Sequence, residues 1–323
     1  MPVPHAPTST DETSQDVVPP TQARTTPSSP TAKRTTLNHL QALAIPPTAT
    51  PEYLAHLSPP TPINIPKLES YLQDHPHQPF VHQLLSGLSE GFKIGHTGPR
   101  VPQEFPNLPS AKENPSVIDS NMLKEVSLGH TAGPCLSPPP FPNLQVYLTG
   151  AIPKKHSSEW QTIFHLSYPK HCLANVNAHI PPEDYSLQYI KVDNAIAILQ
   201  DLGQNCFMSK LDIKAALRNI LVHPSDWELL GMKWQGLYLF DMAFPFGLHS
   251  APFLFNQFSS TLEWIIQNKL HIPKVIHILN DFFITAAPPR THWTTTLCNV
   301  LHLFTELDIP FIPLPPWNSW VSS

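Results

Sequence analysis

The chain has 323 residues, 40 of them proline, and 19 Lys+Arg against 24 Asp+Glu give a formal net charge of −5. That proline load excludes one continuous core over the whole length, and the lack of a basic surplus excludes a protein that grips nucleic-acid backbone by charge over its whole surface. No apolar run reaches the roughly 18 residues of a membrane span, and MPVPHAPTST lacks the charged-then-apolar order of a signal peptide, so a soluble intracellular protein with no membrane contact is expected.

Residues 1–66 hold fourteen of the prolines among abundant Thr and Ser. Such a segment cannot offset its ordering entropy by burial and reads as a disordered tail or linker. It carries three basic and four acidic residues, which leaves residues 67–323 at net −4, so nucleic-acid binding is expected to be local or weak. Cys135, Cys172, Cys206 and Cys298 stand far apart with no C-x-x-C pair, against a disulfide framework or zinc ribbon. His75, His77 and His82 lack a cysteine companion and read as surface residues.

From about Lys67 the texture changes to spaced apolar residues. Val81, Leu84, Leu85, Leu88 and Phe92 recur at helical spacing and predict a helix stopped by Gly95, with Gly87 and Gly91 as weak points inside it. Residues 96–144 read as successive proline turns. Two strand-like pieces, 145–152 and 160–167, flank PKKHSSE as a long hairpin. A helix over 193–202 has Asp193 as its N-cap and Gly203 as its stop. A strand, 206–212, ends in Asp212. Two more, 229–234 and 237–243, meet at Gln235-Gly236. A helix over 253–268 buries Phe255, Phe258, Leu262, Ile265 and Ile266; a hairpin covers 275–286 with Asn280-Asp281 at its turn; a last helix covers 292–307. Without strict strand–helix alternation, this order predicts an α+β domain built on an antiparallel sheet with helices on one face.

Three blocks, SKLDIKAALRNILVHP, FPFGLHSAPFLFNQ and HILNDFFI, resemble motifs A, B and C of reverse transcriptases in order and separation, closest in wording to DIRS-type (tyrosine-recombinase) retrotransposons. PTPINIPKLESYLQDHP, GLSEGFKIGHTGPR and AIPKKHSSEWQTIFHLSYP resemble the same elements, so the likeness covers about residues 60–312. It implies a fingers-palm (right-hand polymerase) fragment with lead-in 67–144 and fingers and palm over 145–312. It also implies RNA-directed DNA synthesis from dNTPs on an RNA template and DNA primer, with magnesium (manganese as a substitute) bound by Asp212 and Asp281. Two divalent ions about 3.5–4 Å apart need carboxylates converging from separate strands, which is what these positions offer.

Within that resemblance the sequence departs from the pattern. The catalytic triad expects an acid where Asn280 stands, and a neutral amide bridges two cations poorly. Lys154 remains as a phosphate contact, but Gln161 replaces the Arg that grips the triphosphate and cannot give its bidentate charge, and His165 replaces an acidic residue. Leu217 stands at the aromatic sugar gate, and His249 stands for a basic residue after Phe246-Gly247, where glycine admits close backbone approach to the nucleotide. After LDIPF the family continues into a primer grip and thumb, whereas this chain runs IPLPPWNSWVSS, with 313–323 read as an aberrant tail. The expectation is a degenerate reverse transcriptase with low or no activity; the alternative is a binding module exapted from the same fold. The plainer readings are a surface hairpin turn for Asn280-Asp281, a helix N-cap for Asp212, a packed turn for Phe244, Pro245 and Phe246, and a solvated hairpin tip for Lys154-Lys155.

Overall fold

The computed structural model describes residues 61–137, 139–154, 159–170 and 174–313. Residues 1–60, Lys155, Cys172 and the segment from 314 onward lie outside the described residues; of the tail expected over 1–66, residues 61–66 are described, and they hold the buried Ile63 and the start of a helix at Ile65. No described helix is long and apolar enough to cross a membrane.

Asn64 opens the described chain as a cap: its side chain accepts from the Lys67 amide and starts α1, Ile65–Leu72. Its own amide donates to Leu307 O at 3.0 Å, so the two ends of the described fold are tied together. Helix α2, Gln78–Glu90, buries Val81, Leu84, Leu85 and Leu88 as the spacing predicts, and it stops at Gly91 with φ 92°, four residues before the expected Gly95. Gly87 is no weak point. A β-carbon there would come within 2.3 Å of the Phe92 ring, so the glycine makes the seat on which that buried ring folds back.

Residues 96–144 correct the loop expectation. They contain β1 (Gln103–Glu104), α3 (Pro109–Glu113), α4 (Pro115–Ser127) and β2 (Thr131–Cys135). Pro109 and Pro115 sit in the first turns of their helices, where the missing amide hydrogen costs nothing and the fixed φ is already helical. The expected 145–152 strand divides into β3 (Gln145–Tyr147) and β4 (Thr149–Pro153), and only β4 pairs with β5 (Trp160–Phe164) as a hairpin.

Helix α5, Val192–Leu202, ends at Gly203 as expected, but Lys191 is its N-cap and Asp193 lies in its first turn. The remaining elements are β6 (Phe207–Ile213), β7 (Gly231–Trp234), β8 (Leu237–Asp241), α6 (Ala251–Asn268), β9 (Val275–Ile278), β10 (Asp281–Ala286), α7 (Arg290–Glu306) and β11 (Phe311–Pro313). All five apolar residues expected to face inward on α6 are buried.

The architecture is α+β, with a correction to the single antiparallel sheet. The described strands form three sheets, ordered β1-β3-β7-β8-β2, β11-β6-β10-β9 and β4-β5, and the pairs β1–β3 and β3–β7 are parallel. The four-stranded sheet is antiparallel throughout. One large core, running from Ile63 to Ile309, joins it to the helices and to the five-stranded sheet.

A buried ion network locks the segment after β6 to the first half of the chain. Arg218, 6% exposed, lies in the 3₁₀ turn Ala216–Asn219. Its guanidinium reaches Glu125 of α4 at 3.1 Å, Asp241 of β8 at 2.9 Å and the Ala243 carbonyl at 3.2 Å. Thr131 donates to Asp241 at 2.8 Å, and His130 Nδ1 lies 2.9 Å from Glu125. Burial pushes the Asp241 carboxyl up against the opposing pull of Arg218; burial also pushes Glu125 up, but His130 and Arg218 outweigh it and hold that carboxyl low. Arg218→Met strands both acids in the interior and is expected to cost about 3–5 kcal/mol in urea unfolding, part of which Asp241→Asn restores in the double variant. A loss below about 1 kcal/mol would show the network to be dispensable.

Candidate active site

Strand β6 reads Phe-Met-Ser-Lys-Leu-Asp-Ile, and its burial alternates: Ser209, Leu211 and Ile213 point inward, Lys210 and Asp212 to the other face. In β10, Phe282 and Ile284 are buried while Asp281 and Phe283 face outward. The two strands pair in a register that sets Asp281 directly opposite Asp212. Cross-strand partners hold their β-carbons about 4.5–5.5 Å apart, so two carboxylates from residues far apart in sequence meet on one face.

The β9–β10 turn corrects the sequence reading. Asp281 pairs with Ile278, so the two-residue loop is Leu279-Asn280, with Leu279 at φ 53°, and Asp281 is the first residue of a strand. Asn280 is held from two sides: its carbonyl accepts from the Ile213 amide at 2.9 Å, and its side-chain nitrogen donates to Asp212 Oδ1 at 2.5 Å. Asp212 is no helix cap, since the next turn begins after Ala215.

Burial raises the Asp212 pKa above the ordinary carboxylate value, and the facing Asp281 raises it further; Lys210 and the Asn280 amide pull the other way. Lys210 Nζ lies 2.8 Å from Asp281 Oδ2. The other oxygen, Asp281 Oδ1, is buried with no donor. Facing carboxylates bring acceptors only, so Oδ1 is satisfied by a proton held on Asp212 or by a cation between the two. The pair offers at most two carboxylate ligands to one divalent cation. A second is not matched: Asn280 turns its nitrogen toward Asp212, Lys210 covers Asp281 Oδ2, and no group of three or more His, Cys, Asp or Glu converges on a metal position among the described residues.

The other singled-out residues divide. Lys154, Gln161 and Phe246 line one cavity of about 700 Å³ together with Trp160, Ala215 and Arg218. Phe246 is 65% exposed there, a large aromatic left without cover. Lys154 is engaged by Glu159 at 2.6 Å. Leu217 does not line the cavity; it packs against the main core. Gly247 lies next to Phe246 with φ 91°, and a β-carbon there would meet only Phe164 O at an ordinary 3.5 Å, so the glycine is needed for its backbone conformation and not for space. Ala215 stands three residues after Asp212, which joins the carboxylate face to the cavity along the chain.

Sequence reasoning missed Arg218 and Asn177. Arg218 gives a signal, a lone charge in the apolar run ALRNILV, whereas Asn177 gives none.

No protein-family model matches the chain, and no curated protein matches it. Among solved structures it is similar to the foamy viral protease-reverse transcriptase. The dRH form in complex with double-stranded DNA aligns at TM-score 0.51 and 14% identity, over 76% of this chain and 42% of that one. The complex with an RNA/DNA hybrid aligns at TM-score 0.50 and 15% identity, over 77% of this chain and 32% of that one. The chain thus spans less than half the length of either structure. At these identities the likeness is one of fold, and the described residues take a reverse transcriptase-like α+β fold.

Proposed function

We propose that the chain carries the fingers and palm of an RNA-directed DNA polymerase of a DIRS-type retrotransposon, with its nucleotidyl transfer crippled at Asn280. The observation that carries this reading is the register placing Asp212 opposite Asp281, with Asn280 hydrogen-bonded to Asp212. The cavity that gathers Lys154, Gln161 and Phe246 supports a nucleoside triphosphate as the small ligand. The solved structures of similar fold hold double-stranded DNA or an RNA/DNA hybrid, which supports a DNA primer and an RNA template as partners.

In this reading Asp212 and Asp281 hold one divalent cation, magnesium or manganese, which when bound supplies Lewis-acid activation of the primer hydroxyl and charge for the phosphate. Asn280 contributes a hydrogen bond to Asp212 but no charge, and Lys210 offsets part of the charge on Asp281. Phe246 offers a face on which a base stacks. Gln161 gives neutral hydrogen bonds where a guanidinium would grip phosphate, and Lys154 must leave Glu159 to do so. Leu217, turned into the core, presents no aromatic edge to the sugar.

Loss of one anionic ligand removes several kcal/mol of charge stabilisation, a rate loss of roughly a thousandfold. Primer extension on an RNA template should therefore be near background for the unmodified chain and rise by about a hundredfold or more for Asn280→Asp, with Asp212→Ala abolishing the signal. Robust synthesis by the unmodified chain defeats the impairment. Salt-sensitive binding of RNA–DNA duplex with no extension by either form would favour the binding module instead.

The raised pKa of Asp212 gives a second test. The folded chain holds that proton more tightly than the unfolded one, so Asp212 favours folding below the ordinary value of about 3.9, and the advantage is lost as pH rises through the raised value. At neutral pH the ionised pair is a cost. Asp212→Asn is expected to raise the Tm at pH 7, and the gain should shrink toward zero as the pH falls to about 4. A Tm difference that does not vary with pH would show that the Asp212 carboxyl is not raised in the fold.

A further inference from the structure

Asn177 has no place in the sequence reading, yet it makes a concentrated set of contacts beside the cavity. It sits in the 3₁₀ turn Val176–His179, which Asn175 caps by accepting from the Ala178 amide at 2.8 Å. Asn177 is 7% exposed. Its side-chain nitrogen donates to Gly247 O at 2.7 Å and to Ser167 Oγ at 2.8 Å, and its oxygen accepts from the His249 amide at 2.9 Å. Its backbone amide donates to Leu166 O at 3.3 Å. One buried amide therefore uses both of its ends and joins two segments: the chain leaving the β4–β5 hairpin, and the loop that bears Phe246.

That loop needs an external tether. It holds a glycine at φ 91°, and its internal backbone bond is a long one, from the Leu248 amide to Pro245 O at 3.4 Å. Its aromatic, Phe246, is 65% exposed and has little packing to fix it. The two bonds from Asn177 fall on Gly247 and His249, immediately after Phe246, so they set the direction in which that ring leaves the backbone. On the other side, Leu166 and Ser167 directly follow the hairpin that carries Gln161.

We propose that Asn177 is a positioning residue that holds the 244–249 loop against the base of the fingers hairpin, so that Phe246 and Gln161 face the same cavity. It acts through those residues and touches no ligand itself. The consequence for ligand binding rests on the nucleotide-site reading above; the mechanical coupling does not.

The test uses the full chain with 4-fluorophenylalanine at position 246, and two variants. Asn177→Ala removes all three side-chain bonds. Asn177→Asp keeps the shape and an acceptor for the His249 amide but removes the donor to Gly247 O. In Asn177→Ala the His249 amide should exchange with deuterium about tenfold faster, against unchanged exchange at the sheet amides of Leu211 and Phe282. In both variants the fluorine resonance at position 246 should shift toward that of an unrestrained ring, and affinity for a fluorescently labelled deoxynucleoside triphosphate should fall about tenfold.

Unchanged His249 exchange, an unmoved fluorine signal in Asn177→Asp, or equal acceleration at His249, Leu211 and Phe282 would each overturn the proposal. So would loosening of the loop with undiminished nucleotide affinity. If the unmodified chain binds no nucleotide while the exchange and fluorine results come out as expected, the coupling stands and the nucleotide-site reading is what fails.

Discussion

The site depends on one pairing, that of β6 with β10. The parity of a strand assigns every side chain to a face, and a slip of one residue would exchange the faces. Six consecutive pairs, from Asp281–Asp212 to Ala286–Phe207, fix this register. The inward set, Ser209, Leu211 and Ile213 against Phe282 and Ile284, is apolar but for Ser209 and nearly fully buried. The burial that makes the register unique also forces Lys210, Asp212 and Asp281 onto the opposite face. The polar cluster is thus a by-product of packing the other side, and it persists as long as the core does, whatever becomes of its chemistry.

The cavity rests on a different constraint. Its walls come from α4, the β4–β5 hairpin, the turn after β6 and the loop bearing Phe246, none of which share a sheet ladder across it. Arg218 holds α4 and β8 to the turn after β6, and Asn177 holds the hairpin to the loop. Buried polar links of this kind are costly to break and geometrically strict, which suits them to keeping a cleft open where apolar packing would close it.

How much of this the sequence showed follows the range of the interactions. The β9–β10 hairpin, α6, α7 and the strand ending near Asp212 were legible, because burial on one face imprints a local period on the residues. The turn was misplaced by one residue because Asn-Asp is a good turn pair on local grounds, whereas the register with β6 decided that Leu279-Asn280 turns and Asp281 extends. Helices α3 and α4 were hidden because proline reads as a breaker unless its position in the first turn is known. Asp212 and Asp281 as a facing pair came from motif order, not from any local feature. Lys154, Gln161 and Phe246 come together at the cavity, while Leu217, half-buried in the 3₁₀ turn, packs against the core. Asn177 was invisible: a buried asparagine whose partners lie ten and seventy residues away leaves no local trace.

The charge balance of the carboxylate face shows what a neutral residue at position 280 does for the fold. Asp212, Asp281 and Lys210 sum to one negative charge, and an acid at position 280 would add a second beside a carboxylate whose proton affinity is already raised. Asn280 instead donates a hydrogen bond to Asp212 at 2.5 Å and holds the hairpin turn to β6 through its carbonyl. A neutral amide at this position therefore spares the folded state that repulsion. Sites built for catalysis concentrate like charges that folding alone would not select, so a change that removes one of them need not disturb the strands that carried it. The intact register of β6 and β10 beside a neutral Asn280 follows from that asymmetry.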